Sequence, residues 1–229
     1  MSARAKINDL ILDSCLAMGY YRMQQNVFTT NILFQDEKIV PVFWLRTALQ
    51  KIKLNKSIKE LLRKNRDFEI SIEAFHNDEE IENLFAVYKS AMNFQTSESV
   101  HAYLFDQTNA DVFDSLSIKI RDKGKLIGIG IFDTGRQSIA GIMNIYHPEY
   151  KKYSLGKFLM LQKILYGLEN NYQFYYTGYI STGTTKFDYK IFPDEYAMEI
   201  WHPFEMKWYP YPLLNKDILS ELFTLNINI

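Results

Sequence analysis

The sequence predicts an α/β protein of the α+β kind: a mixed, mostly antiparallel sheet flanked by helices, with an N-terminal subdomain. Three observations lead there. From about residue 71 onward, stretches alternating with period two follow one another across short turns, and stretches of helical period lie before, between and after them. Apolar residues make up 47% and charged residues 23%, the balance of a globular chain rather than a disordered or coiled-coil one. Aromatics reach 15%, with 16 Tyr and 16 Phe, enough to fill a core and still line a binding surface. The 229 residues suit a main domain with an appendage, since domains average roughly 150 residues. Residues 1–70 carry a local basic bias and are expected to form the N-terminal region; residues 71–229 are expected to form the main domain.

The elements follow in order. Ser57-Ile-Lys-Glu60 reads as a capping box, so a helix is expected to start there, held down by Ile58, Leu61 and Leu62. Asn77-Asp78 can cap a helix from about Glu79 to Met92, with Ile81, Leu84, Phe85, Tyr88 and Met92 on one face. A short helix is expected over Val100 to Phe105. Leu116 to Arg121 alternates as a half-buried strand does, and the turn Asp122 to Lys125 leads into a second strand, Leu126 to Asp133. Thr134-Gly135-Arg136 turns the chain again. Ser138 to Tyr146 is apolar on both faces and so is expected at the centre of the sheet. His147-Pro148 ends it. Ser154 is expected to cap a helix from Leu155 to about Asn170, with Leu155, Phe158, Leu159, Leu165 and Leu168 turned inward. Phe174 to Ile180 is a further strand, followed by a polar loop, Ser181 to Thr185. This order is similar to that of the GNAT-type acyl-CoA N-acyltransferase fold.

Several function classes are excluded. Lys plus Arg number 26 against 27 Asp plus Glu, so there is no globally basic coat, although a local patch remains open. Cys15 is the single cysteine, too few for a disulfide or a cysteine-rich metal site. The histidines His76, His101, His147 and His202 are scattered and lack ligand spacing, so neither metal nor cofactor is expected. No apolar run is long enough to cross a membrane. Asp9 and Asp13 interrupt the N-terminal apolar stretch, which makes a poor signal peptide, and a cytoplasmic location is expected.

Three stretches carry chemistry. Arg46 to Arg66 contains Lys56, Lys59, Arg63, Lys64 and Arg66, with Glu60 as its one acid. Lys59, Arg63 and Arg66 are spaced for one helical face, and a row of cations suits a run of phosphates. Charge alone favours a solvated surface helix, because the pattern is common. Tyr153-Ser-Leu-Gly-Lys-Phe158 lies at a helix start, where free N–H groups attract an anion or a developing oxyanion. Its one glycine, Gly156, is less than the glycine-rich loop that cradles the CoA pyrophosphate. Tyr175 to Lys190 is a strand running into a loop that ends in Lys186, Asp188, Tyr189 and Lys190. Loops at the carboxyl ends of strands line ligand crevices, and tyrosines there stack on bases or relay protons.

Together these stretches resemble the arginyl-tRNA–protein transferase family, including its bacterial aspartate/glutamate leucyltransferase branch. Leu16-Ala-Met-Gly-Tyr-Tyr-Arg22 is similar to that family's Gly-aromatic-Arg segment. Ser57 to Asp67 resembles its Leu-[Arg/Lys]-[Arg/Lys]-Asn-x-Asp helix. Lys125 to Asp133 resembles its strand ending in Asp. Tyr146-His-Pro-Glu-Tyr150 with Ser154-Leu-Gly156, and Gly178-Tyr-Ile180 with Lys186-Phe-Asp-Tyr-Lys190, resemble its later elements. The chain departs from the family pattern at two places. Phe28 to Arg46 holds no cysteine where the family has a metal-binding or iron–sulfur cluster, and Tyr153 stands where an arginine is usual.

The resemblance implies an aminoacyltransferase of the N-degron pathway, in which protein arginylation or leucylation moves an amino acid from charged tRNA to a protein's N-terminal amine. Its partners would be aminoacyl-tRNA, bound by Lys56, Lys59, Arg63, Lys64 and Arg66, and an acidic acceptor N-terminus. Tyr146, Gly156, Tyr179 and Tyr189 would serve catalysis. Ser154, Leu155, Lys186, Asp188 and Lys190 would bind the substrate, with Lys186 and Lys190 receiving the acidic side chain. The reaction centre is expected between the carboxyl ends of the strands at Tyr146 and Ile180. An acyl-CoA-dependent N-acyltransferase on the same fold is the alternative, and a non-catalytic RNA-binding relative is a third.

Overall fold

The computed structural model describes residues 6–35, 38–53, 55–92, 96–106, 111–181, 187–215 and 217–221. In chain order the elements are α1 (Asp9–Ala17), β1 (Tyr21–Met23), β2 (Asn26–Phe28), β3 (Ile32–Gln35), β4 (Lys38–Ala48), α2 (Lys56–Lys64) and β5 (Glu69–Ala74). They continue with α3 (Glu79–Ser90), α4 (Val100–Leu104), β6 (Ser115–Asp122), β7 (Lys125–Thr134), β8 (Ser138–Tyr146), α5 (Leu155–Glu169), β9 (Phe174–Ser181), β10 (Met198–His202) and β11 (Lys207–Pro210). Strands β1 and β2 form a small hairpin. The others form one nine-stranded sheet in the order β11-β10-β4-β9-β8-β7-β6-β5, with β3 beside β4. Every pair is antiparallel except β8 with β9. The α+β class and the mostly antiparallel sheet flanked by helices are those read from the sequence.

The sheet alternates in the way its side-chain pattern requires. Ile129, Ile131 and Ile145 pack with Ile81, Leu84 and Phe85 of α3 and with Val100 and Leu104 of α4. Phe132 and Ile139 pack instead with Leu155, Phe158, Leu159 and Ile164 of α5. Helix α5 is buried on nearly every side, and Leu165 and Leu168 are only partly buried against the core. Fully burying one such side chain stabilises the fold by about 1.5–3 kcal/mol, so this helix anchors the sheet.

Several local expectations are corrected. The cap of α2 is Asn55, whose side-chain oxygen accepts from the Ile58 N–H, and not Ser57, which lies inside the helix. The Asn55 amide also donates to the Pro193 carbonyl, so the chosen cap ties the helix to a distant loop. Helix α2 stops at Lys64 with Asn65 as its C-cap, and Arg66 therefore lies in the following turn rather than on the helical row. Helix α3 is capped by Asp78 as expected but ends at Ser90, short of Met92. The short helix ends at Leu104, because Phe105 is extended.

One buried charge cluster fixes the N-terminal segment to the sheet. The Arg22 guanidinium donates to Asp133 Oδ1 at 2.8 Å, to Ser115 Oγ at 2.9 Å and to the Leu104 carbonyl at 3.1 Å. It lies 4.4 Å from the centre of the Phe113 ring. Burial pushes the Asp133 carboxyl above its ordinary value, and Arg22 and Ser115 pull it back. Removing one member of such a pair strands the other without compensation, at about 3–5 kcal/mol.

Candidate active site

Strands β8 and β9 pair over only three residues, Ser138, Ala140 and Ile139 against Phe174, Tyr176 and Tyr175, and then part. The cause is local. The β4–β9 register shifts between Leu45 and Arg46, which places an extra residue, Thr177, on β9 beside Gly178. Gly178 has φ +95°, a conformation that a side chain would strain. A Cβ there would also come within 2.9 Å of Lys190 Nζ. Beyond these three pairs β8 and β9 are no longer hydrogen-bonded to each other, which leaves a gap, the candidate cleft, at the carboxyl ends of both strands.

Lys190 is held at that parting point. Its Nζ donates to the Tyr179 carbonyl at 3.0 Å and lies 4.8 Å from the Tyr179 ring centre and 5.0 Å from that of Phe187. Desolvation alone pushes the amine down to about 8. Among the described residues no carboxylate pairs with it. A cation so placed costs stability until an anion arrives.

Tyrosines wall the cleft. Tyr146, at the end of β8, stacks edge-on with Tyr88 of α3 at 5.3 Å. Tyr179 packs edge-on to Trp44 at 5.3 Å and to Phe187 at 5.4 Å. Tyr189 is 43% exposed, yet desolvation, together with the phenols of Tyr88, Tyr146, Tyr103 and Tyr179, holds its hydroxyl well above the ordinary range. Burial also raises Tyr103 and Tyr179, and it pushes Tyr88 up to about 12. These groups are hydroxyl donors at neutral pH, not phenolates.

The start of α5 forms the floor. Gly156 lies against Tyr146, and a Cβ there would sit 3.1 Å from Tyr146 Cε1. Ser154 occupies the N-cap position but is left-handed (φ 56°, ψ 43°) and makes no side-chain cap bond, contrary to the expected Ser cap. The first-turn N–H groups of α5 are therefore left without a side-chain cap. Leu155 is buried in the core, so its side chain is structural. Asp188, Tyr189 and Lys190 lie together on a single 3-10 turn, Asp188–Ile191. Lys186 lies outside the described residues. Tyr175 and Tyr176 are buried and cover the sheet.

The basic helix adjoins this floor. Ile58, Leu61 and partly buried Leu62 hold α2 against the core, while Lys56, Lys59, Arg63, Lys64 and Arg66 are exposed. Lys56 and Arg66 have loose acidic neighbours, Glu60 at 3.8 Å and Asp67 at 3.5 Å. The Asn65 amide donates to the Tyr153 carbonyl at 3.1 Å, and the Phe68 ring meets that of Tyr153 at 4.8 Å. These contacts join the end of α2 to the turn that carries the exposed Lys151 and Lys152, immediately before α5.

Sequence reasoning did not pick out Tyr88 and Tyr103 as cleft residues. Tyr88 sits at the helical spacing of a core face, is partly buried, and meets both Phe85 and Tyr146.

The comparisons place this chain among known proteins. Residues 80–197 match the family model described as arginine-tRNA-protein transferase, C terminus. The aspartate/glutamate leucyltransferase of Leptospira interrogans is 30% identical over 151 residues, which cover 63% of this chain and 58% of that protein. Arginyl-tRNA–protein transferase 1 of Arabidopsis thaliana is 30% identical over 122 residues, covering 48% of this chain and 19% of that protein. The matched part of this chain thus spans under two thirds of these relatives. Among solved structures, L-PGS from Bacillus licheniformis superposes with a TM-score of 0.44 at 12% identity, over 80% of this chain and 54% of that one.

Proposed function

This chain belongs to the arginine-tRNA–protein transferase family, and on that premise we propose that it moves an aminoacyl group, leucyl or arginyl, from charged tRNA to the N-terminal amine of an acidic acceptor protein. One observation supports this reading above the others: Lys190, a cation with no carboxylate partner among the described residues, is held against β9 just beyond the point where β8 and β9 part. The reaction joins an amine to an ester carbonyl. An α-amine has a pKa of about 7.7–8.0, so part of it is free near neutral pH and needs little help from a base. The protein's task is to align the two groups and hold the tetrahedral oxyanion.

In this proposal the N–H groups at Gly156 and its neighbours face the oxyanion, with Ser154 shaping the turn. Tyr146 frames the carbonyl. Tyr179 and Tyr189, both protonated, donate toward the departing ribose oxygen. Lys190, with Lys186 four residues before it in the chain, receives the acceptor's acidic side chain, and Asp188 beside it contributes to binding the substrate. The exposed cations of α2, continued by Lys151 and Lys152, carry the tRNA backbone to the cleft.

Proton linkage tests the Lys190 assignment. Its folded-state value of about 8 lies below the usual 10.5, so between those values the free protein holds less proton than an exposed lysine would. A carboxylate bound beside it favours the charged form and raises that value. Binding of an N-terminal Asp or Glu peptide is therefore expected to draw up to about half a proton near pH 8 onto Lys190, read as the difference in uptake between the unaltered protein and Lys190→Met, because the peptide's own α-amine releases protons when it binds as the free base. Calorimetry in buffers of different ionisation enthalpy measures this. The same uptake in Lys190→Met would assign it to another group.

A further inference from the structure

A buried lysine outside the cleft carries an inference of its own. Strand β8 is interrupted once in its pairing with β7: Ile131 faces Met143, Phe132 faces Gly141, and Ile142 is the extra residue. The insertion changes the phase of the strand. Ile142 and Met143 follow one another on the side of the sheet that packs against α3. Beyond them Asn144 and Tyr146 face α5, where an unbroken strand would turn residues 143 and 145 instead. Tyr146 meets Gly156 because of this one residue.

Lys163 of α5 sits at the interruption. It is buried, and its Nζ donates to the Ile131 carbonyl at 2.9 Å, the Met143 carbonyl at 3.2 Å and Asn144 Oδ1 at 2.8 Å. Burial pushes the amine down to about 7; when protonated it has three hydrogens, one for each of these acceptors. Gly130 leaves the room: a Cβ there would lie 3.0 Å from both Lys163 Cε and Asn144 Oδ1. Two of the acceptors are main-chain carbonyls at the break itself, so the side chain ties both strands where the ladder fails.

We propose that Lys163 is a positioning residue, whose ammonium pins the β8 bulge and so aims Tyr146 at the start of α5. This rests on the proposed transfer reaction for its consequence but not for its geometry. Without the pin, the Ile131 and Met143 carbonyls lose this donor and β8 is free to change phase. Lys163→Met keeps the volume and removes the donors.

Two readouts separate the bulge from the chemistry. The first is NMR of protein carrying ring-labelled tyrosine, with the Tyr146 signals assigned by Tyr146→Phe. Lys163→Met is expected to shift or split the Tyr146 signals while those of Tyr172, beyond the far end of α5, stay in place. Gly130→Ala, which keeps the ammonium but crowds it, is expected to move the same signals by less, and it serves if Lys163→Met does not fold. Unchanged Tyr146 signals in a folded variant overturn the proposal. The second readout is transfer from charged tRNA: kcat is expected to fall about tenfold or more with KM for tRNA unchanged. A rise in KM alone also overturns it. If the unaltered protein transfers nothing from any charged tRNA, the reaction assignment fails, and the NMR result still decides the bulge.

Discussion

Lys190→Met is expected to abolish the preference for acidic acceptors and to lower kcat/KM for an N-terminal Asp peptide about 100-fold. The unaltered side chain donates to the Tyr179 carbonyl, leans on two aromatic rings and has no carboxylate partner among the described residues. Removing one partner of a desolvated charge pair costs about 2–5 kcal/mol, and each 1.4 kcal/mol is tenfold. The loss should fall mainly on KM for the acceptor, since the contact is made equally in the ground and transition states. A peptide beginning with Ala gains nothing from the cation and should react at nearly the same rate with either protein. Stability should not fall, because Met replaces a cation whose burial is itself unfavourable. Steady-state kinetics with Asp, Glu, Asn and Ala peptides check this. An undiminished acidic preference would remove Lys190 from the acceptor site.

Reversing Lys59, Arg63 and Arg66 to Glu is expected to weaken tRNA binding by two to three orders of magnitude and to flatten its dependence on salt. Each lost phosphate contact on a duplex takes about 0.9 from the slope of log affinity against log salt, so three contacts predict a change of nearly three. The fold should survive. Ile58 and Leu61 are buried and hold α2 to the core, while the three cations face water. Arg66 lies in the turn after the helix, so its share tests whether the phosphate track continues toward Lys151 and Lys152. Binding measured across a range of salt, with thermal melts alongside, separates lost contact from lost fold. Unchanged affinity and slope would make α2 an ordinary solvated helix.

Much of the main sheet was legible in the sequence because its strands are local. β6, β7 and β8 form an antiparallel meander with short turns, and alternation alone reveals each of them. β4 was not legible. It runs through Pro41, and its partners β9 and β10 lie more than 120 residues away, so no local signal marks a strand paired on both sides. The bulges at Thr177 and Ile142 were hidden for a related reason. Both are set by pairing register, which depends on a neighbour and not on the residue's own type. The cap of α2 shows the same limit. Ser57 fits the local pattern, but Asn55 satisfies both Ile58 and the remote Pro193 carbonyl.

The candidate site divides in the same way. Tyr146, Gly156, Tyr179, Tyr189 and Lys190 could be proposed from sequence because they lie at strand ends, a helix start and the loop after a strand, which a sequence reading can place. Tyr88 was read as a core residue from its spacing, and the spacing was correct: it packs with Phe85. Its ring also meets that of Tyr146. Lys163 lies inside a helix, beside Gln162, and its three acceptors come from two strands distant in sequence. A lone polar residue on a buried helical face was its only available signal.

The most direct test of the proposed transfer is a single-turnover assay with a panel of tRNAs charged with labelled amino acids, using peptides beginning with Asp, Glu or Ala, and a parallel arm with labelled acetyl-CoA. The proposal predicts label on the α-amine of the Asp and Glu peptides from leucyl- or arginyl-tRNA, and none from acetyl-CoA. Label from acetyl-CoA with none from any tRNA, or tight tRNA binding with no transfer at all, would contradict it.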